Sequence, residues 1–485
     1  GSLKDRANPA HSTQSAQSAG SLRDLMFLLS GLLKRNHLGI HEDALFEHTV
    51  TGTKVAVENF QTEIEACLKC IVESVDLPFE EKLSFFKSER RSLGRTALCL
   101  SGGGAITMYH MGVVKAFIEA GLYKEIGVIS GTSGGAIMAA FLAVKTEDEL
   151  ISDVVVDTVS TDYRKDGSQA REKVVWFPKL VTQMHNFRKQ GSLVKGSEFF
   201  RCCTYYFGTT TFAEAYKRTG KHVSISVSNA QLGNTFSGKR RVLLNHISSP
   251  HVTIASAVAA SCSLPGIMLP NKLFAKSVDG RVVPFEVDGV EFIDGSIMAD
   301  LPFKRMATLF NVSNFIVSQV NFHVRPFLPA SSKGHPSDSI LSFMDHDIRS
   351  RAQALSKLGL LPTFFGQTIS GVTKQKYHGD VTIVPQFTSA ETIGIKAVFN
   401  PTAMDMQHYI SGGERAAWPH LNRIRFMMRT ESTLQQCIKQ LQASLMERPT
   451  ELRNERWASQ LTSLHSFGSL PGGGGVGVGV GVGVG

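Results

Sequence analysis

The chain has 485 residues, 42% of them hydrophobic and 19% charged, which excludes a disordered or fibrous protein and leaves room for one large domain or two to three smaller ones. Its net charge of +9 is dispersed in short runs such as Glu89-Arg90-Arg91 and Gly238-Lys239-Arg240-Arg241. No long basic block is interleaved with aromatics, so nucleic acid is not the expected partner, and the excess suits an anionic lipid surface or, for any single run, a solvated loop.

Residues 1–20 are polar and rich in Ser, Gln and Ala, a composition expected to be disordered. From 21 to 92 apolar residues recur at helical spacing, as in LRDLMFLLSGLL (Leu22–Leu33) and VENFQTEIEACLKCIVESV (Val57–Val75), which predicts an N-terminal helical module. Cys67 and Cys70 in this module form a lone CxxC, and no second pair of the seven cysteines stands at zinc-site spacing. His41 and His48 miss the HExxH spacing, so no metal is assigned and the thiols are expected to be free or buried in a reducing compartment. Short apolar strands then alternate with helices over 93–330: TALCLS, EIGVIS, KHVSISVS, EFID and NFIVSQV against GVVKAFIEAG and GGAIMAAFLAVKT. That alternation predicts an α/β fold with a mostly parallel sheet covered on both faces.

The segment 331–468 is read as a mixed and helical extension completing the catalytic domain, with residues 340–430 mixed, a strand at GDVTIVP, and a packing stripe at Leu434, Ile438, Leu441 and Leu445. Residues 469–485 are a Gly/Val low-complexity tail with no assigned function. No secretory signal and no apolar run of about 20 residues that would span a bilayer are visible, so any membrane contact is expected to be peripheral.

Two glycine-rich turns carry the chemistry. Gly131-Thr132-Ser133-Gly134-Gly135 fits GxSxG between a strand and a helix, the context of a nucleophile elbow, against the alternative of an ordinary glycine-rich βα turn. The helix start behind Ser133 adds partial positive charge where an oxyanion forms. Gly102-Gly103-Gly104 after the first strand would bring backbone N–H groups to a phosphate or to a carbonyl oxygen. The P-loop Gly-Lys-Ser/Thr is missing and so is the third glycine of GxGxxG, which favours an oxyanion hole. For the base, His246, His251 and His323 lie in no obvious catalytic turn, and His110 is expected to pack about two turns into the helix after the loop. Asp294, ending a strand before Gly295, is the stronger candidate; Asp279-Gly280 and Asp288-Gly289 read as hairpin turns.

In order along the chain, SGGGAITMYHMGV, SGTSGGA, SAVAASCSLPGIMLP and DGSIMADLP resemble the patatin-like phospholipase and lipase family. SVSNA, the GDVTIVP strand and SGGERAAWPHLNRIR are similar to its intracellular triacylglycerol lipases, the sugar-dependent lipases of plants and the lipid-droplet lipases of yeast, over roughly residues 21–440. The resemblance implies a three-layer patatin-like fold and a Ser–Asp dyad without His: Ser133 as nucleophile, Asp294 as base, Gly102 to Gly104 as oxyanion loop, and Gly131 and Gly135 shaping the elbow. It also implies triacylglycerol or phospholipid as substrate, no cofactor, and an intracellular place on a lipid droplet or membrane surface. One departure stands out: Ile106-Thr107 occupy the place after the glycine triplet where many patatins carry Arg or Lys. Acyl-chain preference, regulation and oligomeric state are not encoded in any motif.

Overall fold

The computed structural model describes residues 15–47, 49, 51–150, 176–229, 241–285, 292–294, 301–321, 363–364, 367–368, 378–388, 391 and 395–446. Three helices come first: α1 (Ser15–Leu32), α2 (Val55–Glu73) and α3 (Phe79–Leu93). Residues 15–20, part of the stretch expected to be disordered, form the first turns of α1. Residues 1–14 and the tail at 469–485 lie outside the described residues.

β1 (Arg95–Leu100) leads through a 3-10 turn (Gly104–Met108) into α4 (Tyr109–Glu119), and β2 (Val128–Thr132) leads into α5 (Gly134–Val144). The short turn α6 (Glu147–Glu149) precedes α7 (Leu180–Gln190), α8 (Gly196–Phe207) and α9 (Phe212–Thr219), then β3 (His222–Asn229) and β4 (Arg241–Leu244). Next come α10 (Ile254–Ser261), the hairpin β5 (Phe274–Lys276) and β6 (Val282–Pro284), β7 (Phe292–Asp294), α11 (Phe303–Phe310) and β8 (Val312–Ser318). The pair β9 (Thr363–Phe364) and β10 (Gln367–Thr368), the strand β11 (Val381–Ile383) and the long helix α12 (Ala403–Met446) complete the described elements.

The main sheet runs β11-β8-β1-β2-β3-β4, with β7 also on β3. β11, β8, β1, β2 and β3 are parallel neighbours, and β4 and β7 are antiparallel to β3. Residue alternation along β1 shows the three layers. Leu98 and Leu100 enter a core shared with α4, α5, α10 and α12. Ala97 and Cys99 enter a core on the opposite face, with Met306 and Phe310 of α11. All eleven residues of α5 are buried, so the helix after Ser133 is fixed on every side.

Among the described residues of 340–430, β11 falls in the expected GDVTIVP strand, and from Ala403 onward α12 is one continuous helix. Pro419 and the pair Gly412-Gly413 argue against a helix locally. The glycines serve packing instead. A Cβ on Gly413 would lie 2.1 Å from the Tyr109 carbonyl oxygen, and one on Gly112 of α4 would lie 2.0 Å from the Ile410 carbonyl oxygen. α4 and α12 therefore pack backbone to backbone at a distance that side chains would forbid. The far half of α12 serves the N-terminal helices: Leu434, Cys437 and Leu441 share a core with Leu25, Leu29, Leu68, Ile71 and Phe86.

Candidate active site

Ser133 is the one residue between β2 and α5, and its backbone is held at φ 54°, ψ −128°. This region is reserved almost entirely for glycine, and a non-glycine residue there costs on the order of 1–3 kcal/mol. The surroundings hold it in place. The Ser133 N–H donates to Ser261 Oγ at 2.9 Å, and Ser261 Oγ donates to the Ser226 carbonyl at 2.7 Å, tying the elbow to α10 and β3. The Ser133 carbonyl accepts from the Ala136 N–H at 2.8 Å, the first turn of α5. The flanking glycines are steric necessities. A Cβ on Gly131 would sit 2.3 Å from the Gly135 carbonyl oxygen, and one on Gly135 would sit 2.3 Å from that of Leu100. One on Gly134 would meet Thr107 Cγ2 at 2.5 Å.

The glycine triplet lies against this elbow. A Cβ on Gly102 would come within 3.1 Å of Ser133 Cβ, so the loop main chain passes directly over the serine. Gly103 is backed by Val320, and Gly104, at φ 62°, is pressed on the Ala397 carbonyl. Thr107 closes the loop by donating its hydroxyl to the Gly104 carbonyl at 2.6 Å. This small hydroxyl stands where a long basic side chain was the familial expectation. Its methyl group also abuts Gly134, so it braces loop and elbow together.

His110 stands in the first turn of α4, not two turns in, because the chain first makes the 3-10 turn. It is fully buried and bonded at both nitrogens. Nε2 lies 3.0 Å from the Ser101 carbonyl, which only accepts, so Nε2 carries the proton. Nδ1 then accepts from the Ser318 hydroxyl at 2.7 Å. Burial pushes the imidazole down to about 4, outweighing the bond to Ser101, so it is neutral at physiological pH. Its bond fixes the Ser101–Gly102 peptide: with the carbonyl turned to His110, the Gly102 N–H points the opposite way. Val320 N–H donates to Ser101 Oγ at 2.8 Å and holds the same residue from the β8 side.

Asp294 ends β7, as its position before a glycine led one to expect, and the backbone register brings it to the elbow. Val227 of β3 pairs with both Val242 of β4 and Asp294 of β7. A strand has only two edges, so β7 occupies the edge shared with β2. Thr132 pairs with Ser226, and Asp294 pairs with the next residue, Val227. β7 thus fills the slot that β2 vacates when the chain turns at Ser133, one residue step or about 3.3 Å further along. Gly295 and the Asp288-Gly289 turn lie outside the described residues, as do His48 and His323.

The other candidates fall elsewhere. Asp279 and Gly280 form the turn of the β5–β6 hairpin, with Gly280 at φ 81°. His246 stacks on Tyr216 at 4.0 Å beside His222, the first residue of β3, at the sheet end opposite the elbow. His251 is exposed beside β5. All seven cysteines are free thiols, and no cluster of metal-ligating side chains occurs among the described residues. Sequence reasoning missed Ser261, Thr107 and the positioning of Ser101 by His110. Ser261 and His110 were visible as members of the longer motifs, but nothing local marks what they bond.

Fold and elbow together define an α/β protein with a serine strained at a strand–helix turn under a glycine loop. Comparison with known proteins gives part of it a family. Residues 98–307 match the family described as Patatin-like phospholipase, and residues 8–91 match a domain of unknown function, DUF3336. The chain is 32% identical over 435 residues to a patatin-like phospholipase domain-containing protein of Cryptococcus neoformans, covering 86% of this chain and 48% of that one. It is 32% identical over 466 residues to a namesake in Aspergillus terreus, covering 91% and 62%. The chain carries a patatin-like phospholipase domain over residues 98–307, and it spans about half to three fifths of the length of these relatives. Among solved structures, human GIVD cytosolic phospholipase A2 aligns at TM-score 0.31 and 11% identity, covering 80% of this chain and 65% of that one. VipD from Legionella pneumophila aligns at 0.30 and 15%, covering 66% and 67%.

Proposed function

We propose that the protein is a lipid ester hydrolase working through a Ser133–Asp294 dyad and an acyl-enzyme. The observation that carries this reading is the backbone of Ser133, held at φ 54° beneath Gly102. Strain of this kind is retained where it aims a group, and here it aims a hydroxyl out of the sheet. In the first half-reaction the Asp294 carboxylate takes the Ser133 proton while Oγ bonds to the ester carbonyl carbon. The negative charge that develops on the carbonyl oxygen is met by N–H groups of the Gly102–Gly104 loop and of Gly134 at the start of α5. The tetrahedral centre collapses, the alkoxide leaves with the proton from Asp294, and the acyl group stays on Ser133. Water then repeats the sequence and releases the fatty acid. No cofactor enters this scheme. His110 cannot replace Asp294, because both its nitrogens are engaged and it is walled off in the core.

Triacylglycerol is the first substrate of this reading, supported by the motif resemblance to intracellular triacylglycerol lipases. Phospholipid is the second, supported by the names of the relatives. Capture of the acyl-enzyme by another alcohol would make the same site an acyltransferase. Attachment to a lipid droplet or membrane would be peripheral; no described helix is long and apolar enough to cross a bilayer. The test is lipolysis measured side by side on emulsified triacylglycerol and on phospholipid vesicles, with Ser133→Ala as control. Fatty-acid release that depends on Ser133 and is faster from the emulsion is the expected result. Release faster from vesicles reassigns the substrate, and none from either points to a non-catalytic lipid-binding scaffold.

A further inference from the structure

Helix α7 is turned inside out. Its only buried residues are polar, Gln183 and Asn186. Leu180, Val181, Met184 and Phe187 face outward, 55%, 82%, 48% and 49% exposed. At 100° per residue Leu180, Met184 and Phe187 form one stripe, with Val181 on its flank. An amphipathic helix normally buries that stripe, so the inversion needs a cause. The polar face is anchored by specific bonds. Gln183 Nε2 donates to the carbonyls of Pro178 and Val398 at 3.0 Å each, and Asn186 Nδ2 donates to that of Leu193 at 3.2 Å. These bonds hold the apolar stripe in water.

The anchors also place the helix beside the candidate site. Val398 follows Ala397, on which Gly104 of the glycine loop is pressed. Just past α7, the Val194 N–H donates to the Ile267 carbonyl, in the segment that follows Ser261. Leu269 in that segment is also exposed. The charge carried by the helix and its cap has one sign: Lys179, Arg188 and Lys189 are exposed, and α7 contains no acidic residue.

We infer that α7 is the element that docks this protein on an anionic phospholipid surface, its apolar stripe inserted among acyl chains and its basic residues at the headgroups. An interfacial helix combines these two features, and a fixed helix beside the candidate site would bring the lipid surface to it without a further conformational step. The inference rests on the reading of Ser133 as a lipid-cleaving nucleophile for its purpose, though not for its test.

The experiment is flotation with vesicles of mixed phosphatidylcholine and phosphatidylserine, alongside hydrolysis of a soluble short-chain ester and sedimentation without lipid. The parent floats. Val181→Glu with Phe187→Glu weakens partitioning roughly 100-fold or more and leaves ester hydrolysis unchanged. Lys179→Glu, Arg188→Glu and Lys189→Glu weaken it about fivefold per charge at low salt, and high salt erases that difference. These side chains are exposed, so the second variant reports independently if the first is poorly folded. A parent that does not float, or an apolar-face variant that floats like the parent, overturns the inference. So does a concentration-dependent dimer that the same substitutions abolish, which would give the face to a second copy of the chain. Loss of ester hydrolysis in the parent would instead sink the catalytic reading and leave flotation to decide the docking.

Discussion

The two ends of β1 are held in opposite ways. At its C-terminal end the chain enters Ser101 and the glycine loop, where tight backbone contacts and the strained Ser133 prevail. At its N-terminal end Thr96 meets a buried ionic clasp. Glu431 of α12 accepts from Arg35 Nη2 at 2.5 Å, Arg90 Nη2 at 2.8 Å, the Thr96 hydroxyl at 2.6 Å and the Thr96 N–H at 3.2 Å. Arg35 lies just past α1 and Arg90 on α3, so one carboxylate joins the N-terminal helices, α12 and the central sheet. The site end carries a conformational cost and the clasp end a desolvation cost. The first is tolerated for geometry and the second for connection, so perturbing them should break different things.

The largest effect falls at the site. Ser133→Ala is expected to cut kcat on a soluble ester by about 10⁴-fold or more, as loss of a nucleophile does elsewhere. Ser133→Gly should be equally inactive yet more stable than the parent by roughly 1–3 kcal/mol, because glycine relieves the positive φ. Chemical denaturation of the three proteins measures this, and a glycine variant less stable than the parent would mean the turn is not strained. Asp294→Asn, which keeps shape and removes the proton acceptor, should cost about 10²–10⁴ in kcat/KM. Asp279→Asn, in the hairpin turn, should be nearly silent in the same assay.

The clasp should show the converse. Glu431→Gln leaves two arginines facing each other in a buried place and is expected to cost about 3–5 kcal/mol of folding stability. The fraction that stays folded should hydrolyse ester normally. A variant with parental Tm would show that the N-terminal helices are held without the clasp. A further effect is set by pH. Burial pushes His110, His41 and His222 each down to about 4, so the unfolded chain takes up protons that the folded chain refuses. Stability is therefore fully present above about pH 6.5 and declines as pH falls towards 4. Thermal unfolding followed across that window should show Tm dropping on acidification, with a shallower slope for His222→Phe.

The site was more legible in the sequence than the scaffold around it. Gly131 is dictated by its contact with Gly135 within one strand–turn–helix, so the local string records that part of the geometry, while Gly134 and Gly135 answer to Thr107 and to the Leu100 carbonyl of the preceding strand. The mostly parallel sheet followed from the alternation of strands and helices, though its strand order did not, and the end of β7 at Asp294 followed from the local pattern. The end of α12 was legible as the stripe Leu434, Ile438, Leu441 and Leu445, but its first half was not, because Gly412, Gly413 and Pro419 are local helix breakers whose use depends on α4, some three hundred residues earlier. The clasp was hidden for the same reason: Arg90 reads as part of a solvated charge run until Glu431 is placed beside it. The inverted face of α7 was invisible because the partners of Gln183 and Asn186 are carbonyls, which carry no sequence signature.

Whether Ser133 is an activated nucleophile served by Asp294 is decided by labelling the parent, Ser133→Ala and Asp294→Asn proteins with a fluorophosphonate, followed by intact mass and peptide mapping. The expected result is one adduct on the parent, mapped to Ser133, none on Ser133→Ala, and strongly slowed labelling of Asp294→Asn with the fold unchanged by circular dichroism. An adduct on another serine, or parental labelling rates in Asp294→Asn, would contradict it.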